Sequence, residues 1–443
     1  MPVAVAATVV TFACGSSSVD WIKRAGLDAR WVALFVLLGC VTTLFVLRVA
    51  WSRARPFALA GWLTLLALLS AAWSVTPQLT FERAAALAIL FVTAFLLATS
   101  AASLALIERV LAAILAGAVI VALLGLLLLA VDRDAALQPA SPGVPTRLRG
   151  LGEDPDTAAL LFAVVLPIAA WGVARGGRPW RRIASGAALL LLLGSIAGAI
   201  SRGALAAGLL GVLVVALAAP RTWPARWAYV AATLALAGSS YGLTTIPAPG
   251  AGSVTAQVAT PTRPSPGAID ANRVFPLDDD IGTALPGPDG RPRSTAPTGE
   301  GGRRAAWRGA LEESADRPIV GYGFGTEDKV FVDRYRGFSG NLVHNYYLGL
   351  LLQLGAVGLA SFLALMLLWI VRAVAAHGRL AERDRLALVA CAGVVCAGLA
   401  AALVQSYLTS VGNIATVSFW IGAFLLAALG DPRSVWPWRP PVD

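Results

Sequence analysis

Long apolar stretches separated by short polar loops make up most of this chain of 443 residues. A helix needs about 20 apolar residues to cross the hydrocarbon core of a bilayer, and most of the stretches approach that length. Apolar and polar residues do not alternate within them, which argues against an outer-membrane β-barrel. The pattern therefore predicts an all-α polytopic membrane protein with about 12 transmembrane helices. The predicted spans are 2–14, 31–50, 57–73, 84–107, 110–131, 157–174, 183–200, 203–219, 227–246, 346–371, 386–404 and 413–429.

One long polar segment interrupts this pattern and divides the chain into three parts. We predict a membrane domain of about nine helices over 1–246, a large external loop over 247–345, and a membrane domain of about three helices over 346–443. The first part of the loop, 247–302, is rich in Pro, Gly, Thr and Ser, a composition that is typical of flexible segments. The second part, 303–345, begins with helical spacing, so we predict it to be partly helical and to carry catalytic residues.

Arginine residues indicate how the helices lie across the membrane. Positive charge accumulates in cytoplasmic loops, and arginine occurs in every second short loop of this chain. The segment 15–30 does not fit this rule, because it carries Lys23, Arg24 and Arg30 yet would be external if 2–14 crosses the bilayer. The basic content of the long loop does not conflict with the rule, because long loops escape it. The predicted external loops are 74–83, 132–156, 201–203, 247–345 and 405–412.

Composition agrees with a membrane protein and limits the choice of partners. Apolar residues make up 57% of the chain and charged residues 14%, whereas soluble domains have about 25% charged residues. The net charge is +10, almost entirely from arginine. No loop has a basic run with interleaved aromatic residues, so we predict no nucleic-acid partner. The four cysteines lie in apolar stretches and are interpreted as small buried hydrophobic residues rather than as disulfides or metal ligands.

Arg202 is the first candidate for a functional side chain. It lies between two apolar stretches, in a turn too short to extend far into water. Its planar guanidinium could bind two phosphate oxygens at the external membrane surface. Alternatively, it caps a polar hairpin and extends its charge to the interface. Arginine is disfavoured on the external side of a membrane, and this favours the functional interpretation slightly.

A cluster of arginines at the start of the helical part of the loop is the second candidate. Arg304 and Arg308 are four residues apart and share one face of a helix, with Arg303 beside them. The same spacing places Trp307 and Leu311 together on another face. Such an arginine cluster could bind a diphosphate. It could also be a solvated basic face paired with the acidic residues that follow, and this interpretation is favoured for any single arginine.

His344 is the third candidate, because it is the only histidine predicted on the external side. The other histidine, His377, lies in a predicted cytoplasmic loop. An imidazole can accept a proton from a hydroxyl near neutral pH, so His344 could act as a general base. Taken alone, it would more often be an interfacial histidine beside the tyrosines that follow it. Two candidate anion-binding sites on the same side of the membrane favour the catalytic interpretation.

No metal and no other cofactor is predicted. Asp278–Asp280 form an acidic run, but the run lies in the predicted flexible segment and has no His or Cys nearby. The glycines of Gly321–Gly325 lack the Lys-Ser/Thr of a nucleotide-binding phosphate loop, and they lie in a predicted external loop where ATP is absent.

The motifs around these candidates resemble those of the O-antigen ligase family and of the related O-antigen polymerases and bacterial protein O-oligosaccharyltransferases. The resemblance covers about 194–404, and the order of the motifs on one topology makes the set fairly specific. The matching motifs are Ser201-Arg202-Gly203-Ala204, Arg303-x-x-x-Trp307, Pro318-x-x-Gly321-x-Gly323-x-Gly325, His344-Asn345-x-Tyr347-Leu348 and Gln353-Leu354-Gly355.

The resemblance implies a membrane-embedded type C glycosyltransferase fold, with its active site on the periplasmic side of the bacterial inner membrane. It implies transfer of a glycan from undecaprenyl diphosphate to a glycan or lipid A-core acceptor, in contact with membrane lipid and without a metal. The family's arginines carry over to Arg202 and Arg303, with Arg304 as a neighbour, and its histidine carries over to His344. Fixed arginines would neutralise the departing diphosphate, and His344 would orient or deprotonate the acceptor hydroxyl.

Other functions remain as alternatives. O-antigen ligase activity on lipid A-core is favoured, but an O-antigen polymerase or a protein O-oligosaccharyltransferase would carry the same motifs and differ in its acceptor. A transporter of a lipid-linked glycan would need paired polar residues near the middle of the bilayer, for which Gln353 and Gln405 are weak candidates. A non-catalytic membrane scaffold would tolerate changes at Arg202, Arg303 and His344.

Overall fold

The computed structural model describes the predicted spans and the loops that join them, with several gaps. The predicted flexible segment 247–302 lies outside the described residues except for the backbone of its last two, and so does most of the predicted span 227–246. The described residues are 1–48, 55–100, 103–139, 145–175, 178–219, 231–233, 235, 238, 301–331 and 342–431.

Helices dominate the described residues, which confirms the predicted all-α membrane fold. Within the described part, seven helices are long and apolar enough to cross a membrane, and four shorter apolar helices accompany them. The only strands there, β1 (Leu137–Gln138) and β2 (Arg147–Leu148), pair antiparallel. The helices are α1 (Pro2–Gly15), α2 (Asp20–Arg48), α3 (Ala58–Leu69), α4 (Pro77–Ser100), α5 (Leu104–Val131), α6 (Arg133–Ala136), α7 (Pro155–Ala174), α8 (Pro179–Gly198), α9 (Arg202–Ala218), α10 (Gly301–Ser314), α11 (Glu327–Val330), α12 (Tyr346–His377), α13 (Glu382–Ala401) and α14 (Thr416–Gly430), with 3-10 turns at Arg55–Phe57 and Ser70–Ala72.

α14 lies at the centre of the bundle. It is apolar on every face and nearly all of its residues are buried, as expected for a helix that is surrounded by neighbours. The rings of Phe57 and Phe424 stack at 5.2 Å between centroids, and those of Phe91 and Trp420 lie 4.3 Å apart. Trp369 of α12 meets Phe424 edge-on at 5.1 Å. Each such aromatic pair stabilises packing by about 0.5–1.5 kcal/mol beyond the area it buries, so this cluster fixes α4 and α12 against α14.

The turn between α1 and α2 lies at the same end of the bundle as two predicted external loops. Ser16 Oγ donates a hydrogen bond to Gly412 O at 3.4 Å. Lys23 Nζ lies 3.1 Å from Glu153 Oε1. These contacts agree with an external position for the basic segment that did not fit the charge rule. The loop end, as this end is called below, comprises 15–30, 132–139, 145–156, 315–331, 342–346 and 403–412.

α12 is broken at Gly355, although the sequence predicts one continuous span over 346–371. Gly355 has φ 61° and ψ −163°, a conformation that is essentially restricted to glycine. The break separates the backbone carbonyls before Gly355 from the amides after it, so neither set can complete the helical hydrogen-bond pattern. Buried backbone groups of this kind need other partners.

The glycine-rich segment 318–323 supplies these partners. It crosses the break and exchanges backbone hydrogen bonds with α12 on both sides of Gly355. Two motifs that are separate in the sequence thereby form one hydrogen-bonded unit, here called the Gly355 exchange. Its hydrogen bonds run from Tyr322 N to Leu352 O (3.0 Å), Gly323 N to Gln353 O (2.8 Å), Ala356 N to Pro318 O (2.8 Å) and Val357 N to Ile319 O (3.2 Å).

Replacing Gly355 with alanine should disrupt this unit. The strained backbone would cost about 1–3 kcal/mol, and the added Cβ would lie 2.3 Å from the backbone of Ile319. We expect Gly355→Ala to melt at a clearly lower temperature than the wild type when both are purified in the same detergent. Gly378→Ala, just after the same helix with nothing within 4 Å of its added Cβ, is the matched control. Equal melting temperatures for the two variants would contradict the role of the break.

Candidate functional site

His344 lies in a tight turn that leads into α12. Its φ of 52° falls in the left-handed region, which few residues other than glycine adopt. The next residue, Asn345, caps α12, because its Oδ1 accepts hydrogen bonds from Tyr347 N at 3.0 Å and Leu348 N at 3.2 Å. The imidazole is half-buried, with Nδ1 3.4 Å from Gln405 Oε1. The ring therefore has a defined position at the loop end.

Glu327, which the sequence analysis did not single out, holds the other side of this turn. The residue is only 6% exposed. Oε1 accepts hydrogen bonds from Val343 N at 2.8 Å and Ser406 Oγ at 2.9 Å, and Oε2 accepts one from Gln353 Nε2 at 3.2 Å. Burial raises the pKa of the Glu327 carboxyl to about 7, although these hydrogen bonds favour its ionised form. One buried carboxylate thus connects α11 to α12, to the histidine turn and to the segment after α13.

Arg202 is the first residue of α9, and its side chain is exposed. The start of this helix packs closely against the segment after α13, because a Cβ on Gly203 would lie 2.9 Å from Val404 Cγ2. Val404 immediately precedes Gln405, the residue that contacts His344. The structure therefore brings the start of α9 and the histidine turn to the same short segment of the loop end.

The arginine cluster lies on α10, which confirms a helix at the start of this part of the loop. The side chains of Arg303 and Arg304 lie outside the described part of the structure, and Arg308 is exposed. Trp307 and Leu311 lie four residues apart on this helix, as predicted, but their face is only partly covered, because Trp307 is half-buried whereas Leu311 is 51% exposed.

α10 uses small residues to approach the histidine turn. Ala306 and Ala310 are 1% and 0% exposed and belong to a buried cluster with Tyr322, Phe331 and Val343. Alanine has no side chain beyond Cβ, so the backbone of α10 can come close to this cluster. Since Val343 directly precedes His344, the helix that carries the arginine cluster packs against the base of the turn.

A polar cavity of about 560 Å³ lies beside the histidine turn. Glu327 and Ser406 contribute to its lining, together with Arg30 of α2 and Arg83 of α4. Hydroxyl, amide and further acidic side chains complete the polar part of the wall. A cavity of this size that is lined by charged and hydroxyl groups suits a polar ligand with several hydrogen-bonding groups.

The two arginines of the polar cavity differ in their surroundings. Arg83 Nη1 lies 2.5 Å from Asp328 Oδ1, and Arg83 also donates to Gly325 O. Burial opposes ionisation of Asp328, but the hydrogen bond and charge of Arg83 outweigh it and lower the pKa of that carboxyl. Arg30 stacks its guanidinium 5.6 Å from the ring centroid of Trp31. It lines the cavity while its buried Nε has no hydrogen-bond partner among the described residues.

A second cavity, of about 690 Å³, lies between α9, α12 and α13 and is lined almost entirely by apolar side chains. Its lining includes His377 at the end of α12 and Leu403 just after α13. Leu403 therefore borders the apolar cavity, Ser406 borders the polar cavity, and Gln405 between them contacts His344. The two cavities approach each other where the histidine turn lies.

The sequence analysis missed Arg30, Arg83 and Glu327. A signal existed for Arg30, since it is an arginine in a segment that the order of spans makes external, and the same argument favoured Arg202. Arg83 lies at the border of a predicted external loop and a span, where a charged residue is common and does not indicate a site. Glu327 follows the glycine-rich motif directly, but its burial depends on contacts with residues that are distant in the sequence.

Comparison with known proteins supports an assignment by family. Residues 186–363 match a family whose description is O-antigen ligase, and its members are enzymes of the glycosyltransferase type. No curated protein matches the chain. The matched segment includes Arg202, α10, Glu327, His344 and the Gly355 exchange, whereas Arg30, Arg83 and the segment 403–412 lie outside it. This match falls on the part of the chain that carries the motifs, and it supports the resemblance to this family.

Proposed function

We propose that this chain, which carries an O-antigen ligase family domain over residues 186–363, transfers a glycan from undecaprenyl diphosphate to an acceptor hydroxyl at the periplasmic face of the bacterial inner membrane. The acceptor that we favour is lipid A-core, which makes the protein an O-antigen ligase. One observation carries the proposal. The start of α9, the histidine turn, the apolar cavity and the polar cavity all meet at residues 403–406.

The apolar cavity suits the polyprenyl tail of the donor. It lies between apolar helices, and burying a hydrocarbon chain is favourable by about 0.8 kcal/mol per CH₂ group. Because one end of the cavity reaches Leu403, a tail in it would place its diphosphate near the start of α9. There the N–H groups of the first helical turn and the Arg202 guanidinium both favour negative charge. Arg303, Arg304 and Arg308 on α10 are the further candidates for binding the diphosphate.

The chemistry needs a base for the acceptor and a stabilised leaving group. The acceptor oxygen forms a bond to the anomeric carbon of the donor sugar as the bond from that carbon to the diphosphate oxygen breaks. The proton of the acceptor hydroxyl passes to the His344 imidazole, which Gln405 orients. The electron pair of the broken bond stays on undecaprenyl diphosphate, whose added charge Arg202 stabilises.

The polar cavity suits the acceptor. It borders Ser406, whereas the apolar cavity borders Leu403. An acceptor in the polar cavity would therefore lie close to Gln405 and His344 without occupying the site of the tail. Arg30 contributes a guanidinium to the lining, and Thr409 and Ser410 add hydroxyl groups. These groups match the hydroxyls and anionic substituents of a glycan.

The arrangement of the two glutamines disfavours a transporter. A transport path predicts paired polar residues near the middle of the bilayer. Gln353 Oε1 accepts a hydrogen bond from Gly325 N at 2.7 Å, and Gln405 contacts His344, so both are engaged at the loop end. Among enzymes of this family, the phenotype of a deletion strain separates the acceptors. Loss of capped lipid A-core indicates a ligase, capping with single repeats indicates a polymerase, and unglycosylated protein indicates a protein transferase.

Replacing His344 with asparagine should abolish transfer without unfolding the protein. Asparagine tolerates the left-handed backbone of this turn, but it cannot accept a proton near neutral pH. We expect the rate of glycan transfer by purified His344→Asn to fall at least about a hundredfold, the order of a general-base contribution. His344→Gly, which relieves the strain and also removes the imidazole, should be equally inactive. Wild-type transfer by either variant, correctly inserted, would remove His344 from catalysis.

Arg202→Lys should be nearly as inactive as Arg202→Ala. An ammonium is a point charge and cannot present the planar pair of donors that binds two phosphate oxygens. Loss of a charge-assisted hydrogen bond costs about 1.5–3 kcal/mol, or roughly a ten- to hundredfold drop in transfer. Arg182→Lys, at an exposed position near the start of α8, controls for the general effect of the change. If Arg202→Lys kept near-normal transfer, the diphosphate would be bound mainly by the arginines of α10.

Transfer by purified protein should survive an excess of EDTA. Among the residues that the structure describes, no group of three or more His, Cys, Asp or Glu side chains is placed to hold a metal ion. Arginine side chains would instead stabilise the negative charge of the leaving group. Loss of activity in EDTA that magnesium or manganese restores would refute this expectation and direct attention to Asp278–Asp280, which lie outside the described residues.

A further inference from the structure

We propose that Glu327 is a positioning residue, which holds the His344 turn and the Gln405 segment in the fixed relation that transfer requires. The proposal rests on the proposed function of His344. Glu327 need not touch either substrate in this role, because it acts through the backbone beside the histidine and through the segment that carries the histidine's partner.

The turn at His344 needs an external restraint. A left-handed backbone at a residue other than glycine persists only where its surroundings enforce it. On the C-terminal side, Asn345 provides a restraint by capping α12. On the N-terminal side, Val343 is 0% exposed, and its N–H donates to Glu327 Oε1. Without that acceptor, a buried backbone donor would be left without a partner, and the turn would relax.

A single oxygen atom links both parts of the site. Glu327 Oε1 also accepts the hydrogen bond from Ser406 Oγ, and Ser406 follows Gln405. The residue before His344 and the residue after its partner therefore share one acceptor. A shift of this oxygen would move the imidazole relative to Gln405 and to the start of α9. Displacement of a reacting group by about 1 Å can reduce a rate a hundredfold.

The surroundings of Glu327 require a carboxylate rather than an amide. Gln353 Nε2 donates to Glu327 Oε2, while Gln353 Oε1 accepts from Gly325 N. Gln353 therefore cannot reverse its amide without losing the bond from Gly325. A glutamine at 327 would place its own NH₂ group against one of three donors, and at least one hydrogen bond would become a repulsive contact between two donors.

The test compares Glu327→Gln with the wild type as full-length protein in the same detergent. The donor in this assay is the undecaprenyl-diphosphate-linked glycan of the source strain, and the acceptor is the lipid A-core of the same strain. We expect kcat to fall about ten- to hundredfold. The KM values for both substrates should change by less than about twofold, and the variant should remain folded at the assay temperature even though the repulsive contact lowers its melting temperature. Glu153→Gln, which removes an exposed carboxylate at the same end of the bundle, should match the wild type in all three quantities.

Ser406→Ala keeps the proposal testable if Glu327→Gln folds poorly. It removes one of the two hydrogen bonds to Oε1 and leaves the carboxylate in place, so kcat should fall several-fold with the fold intact. Wild-type kcat in a folded Glu327→Gln or in Ser406→Ala would overturn the positioning role. The positioning role would also be overturned if the fraction of unfolded protein accounted for the whole fall in kcat in both variants, because this would show a purely structural role.

The outcomes separate this proposal from the proposed function. If wild-type protein transferred no glycan, or if His344→Asn kept the wild-type rate, the proposed function would fail whatever Glu327 does. If Glu327→Gln were inactive while His344→Asn retained most of its activity, Glu327 itself would be the base. The positioning role would then be refuted.

Discussion

The exchange of backbone hydrogen bonds at Gly355 is the constraint on which the rest of the site depends. A continuous helix would satisfy its own carbonyls and offer nothing to the glycine-rich segment. The break instead ties 318–323 to α12, and this fixes where Gly325 and α11 follow. Gln353, at the edge of the break, then uses its side chain to join Gly325 and Glu327. The backbone conformation of one glycine thus determines the position of a buried carboxylate. Through that carboxylate, it also determines the position of the histidine turn.

The segment after α13 divides two environments that a lipid-linked sugar needs at once. A polyprenyl tail requires an apolar channel, whereas its sugar and the acceptor require hydrogen-bonding groups. Leu403 borders the apolar cavity and Ser406 borders the polar one, so the change occurs within four residues. The start of α9 packs on Val404 within the same interval. Under the proposed function, the diphosphate lies at the boundary between lipid and water, where the bond that breaks must be accessible from both.

Sequence reasoning recovered the helical architecture because apolar length and arginine placement act locally. It predicted the α10 helix from its spacing, and it selected Arg202 and His344 because they belong to short motifs, although their roles stay predictions. The break at Gly355 was missed, since Gln353-Leu354-Gly355 sits inside an apolar run whose composition suits a continuous helix. The exposure of Leu311 could not be predicted either, because helical spacing does not show how much of a face a partner covers. Glu327 and Arg83 depend on contacts across more than 70 residues, and no local pattern distinguishes them from solvated charges.

The two proposed substrate sites draw their residues from different parts of the chain. Arg202, α10 and His344, which would bind the donor and take the proton, lie within the segment that matches the O-antigen ligase family. Arg30, Arg83 and residues 409–412, which line the polar cavity, lie outside it. Glu327 is inside the matched segment but borders that cavity, and its hydrogen bond to Ser406 crosses from one set to the other. Donor chemistry would therefore rest on the family's motifs, while acceptor choice would rest on the first helices and on the segment after α13. Under the proposed function, this division would explain why the motifs alone did not separate a ligase from a polymerase, because the side chains that would meet the acceptor lie elsewhere.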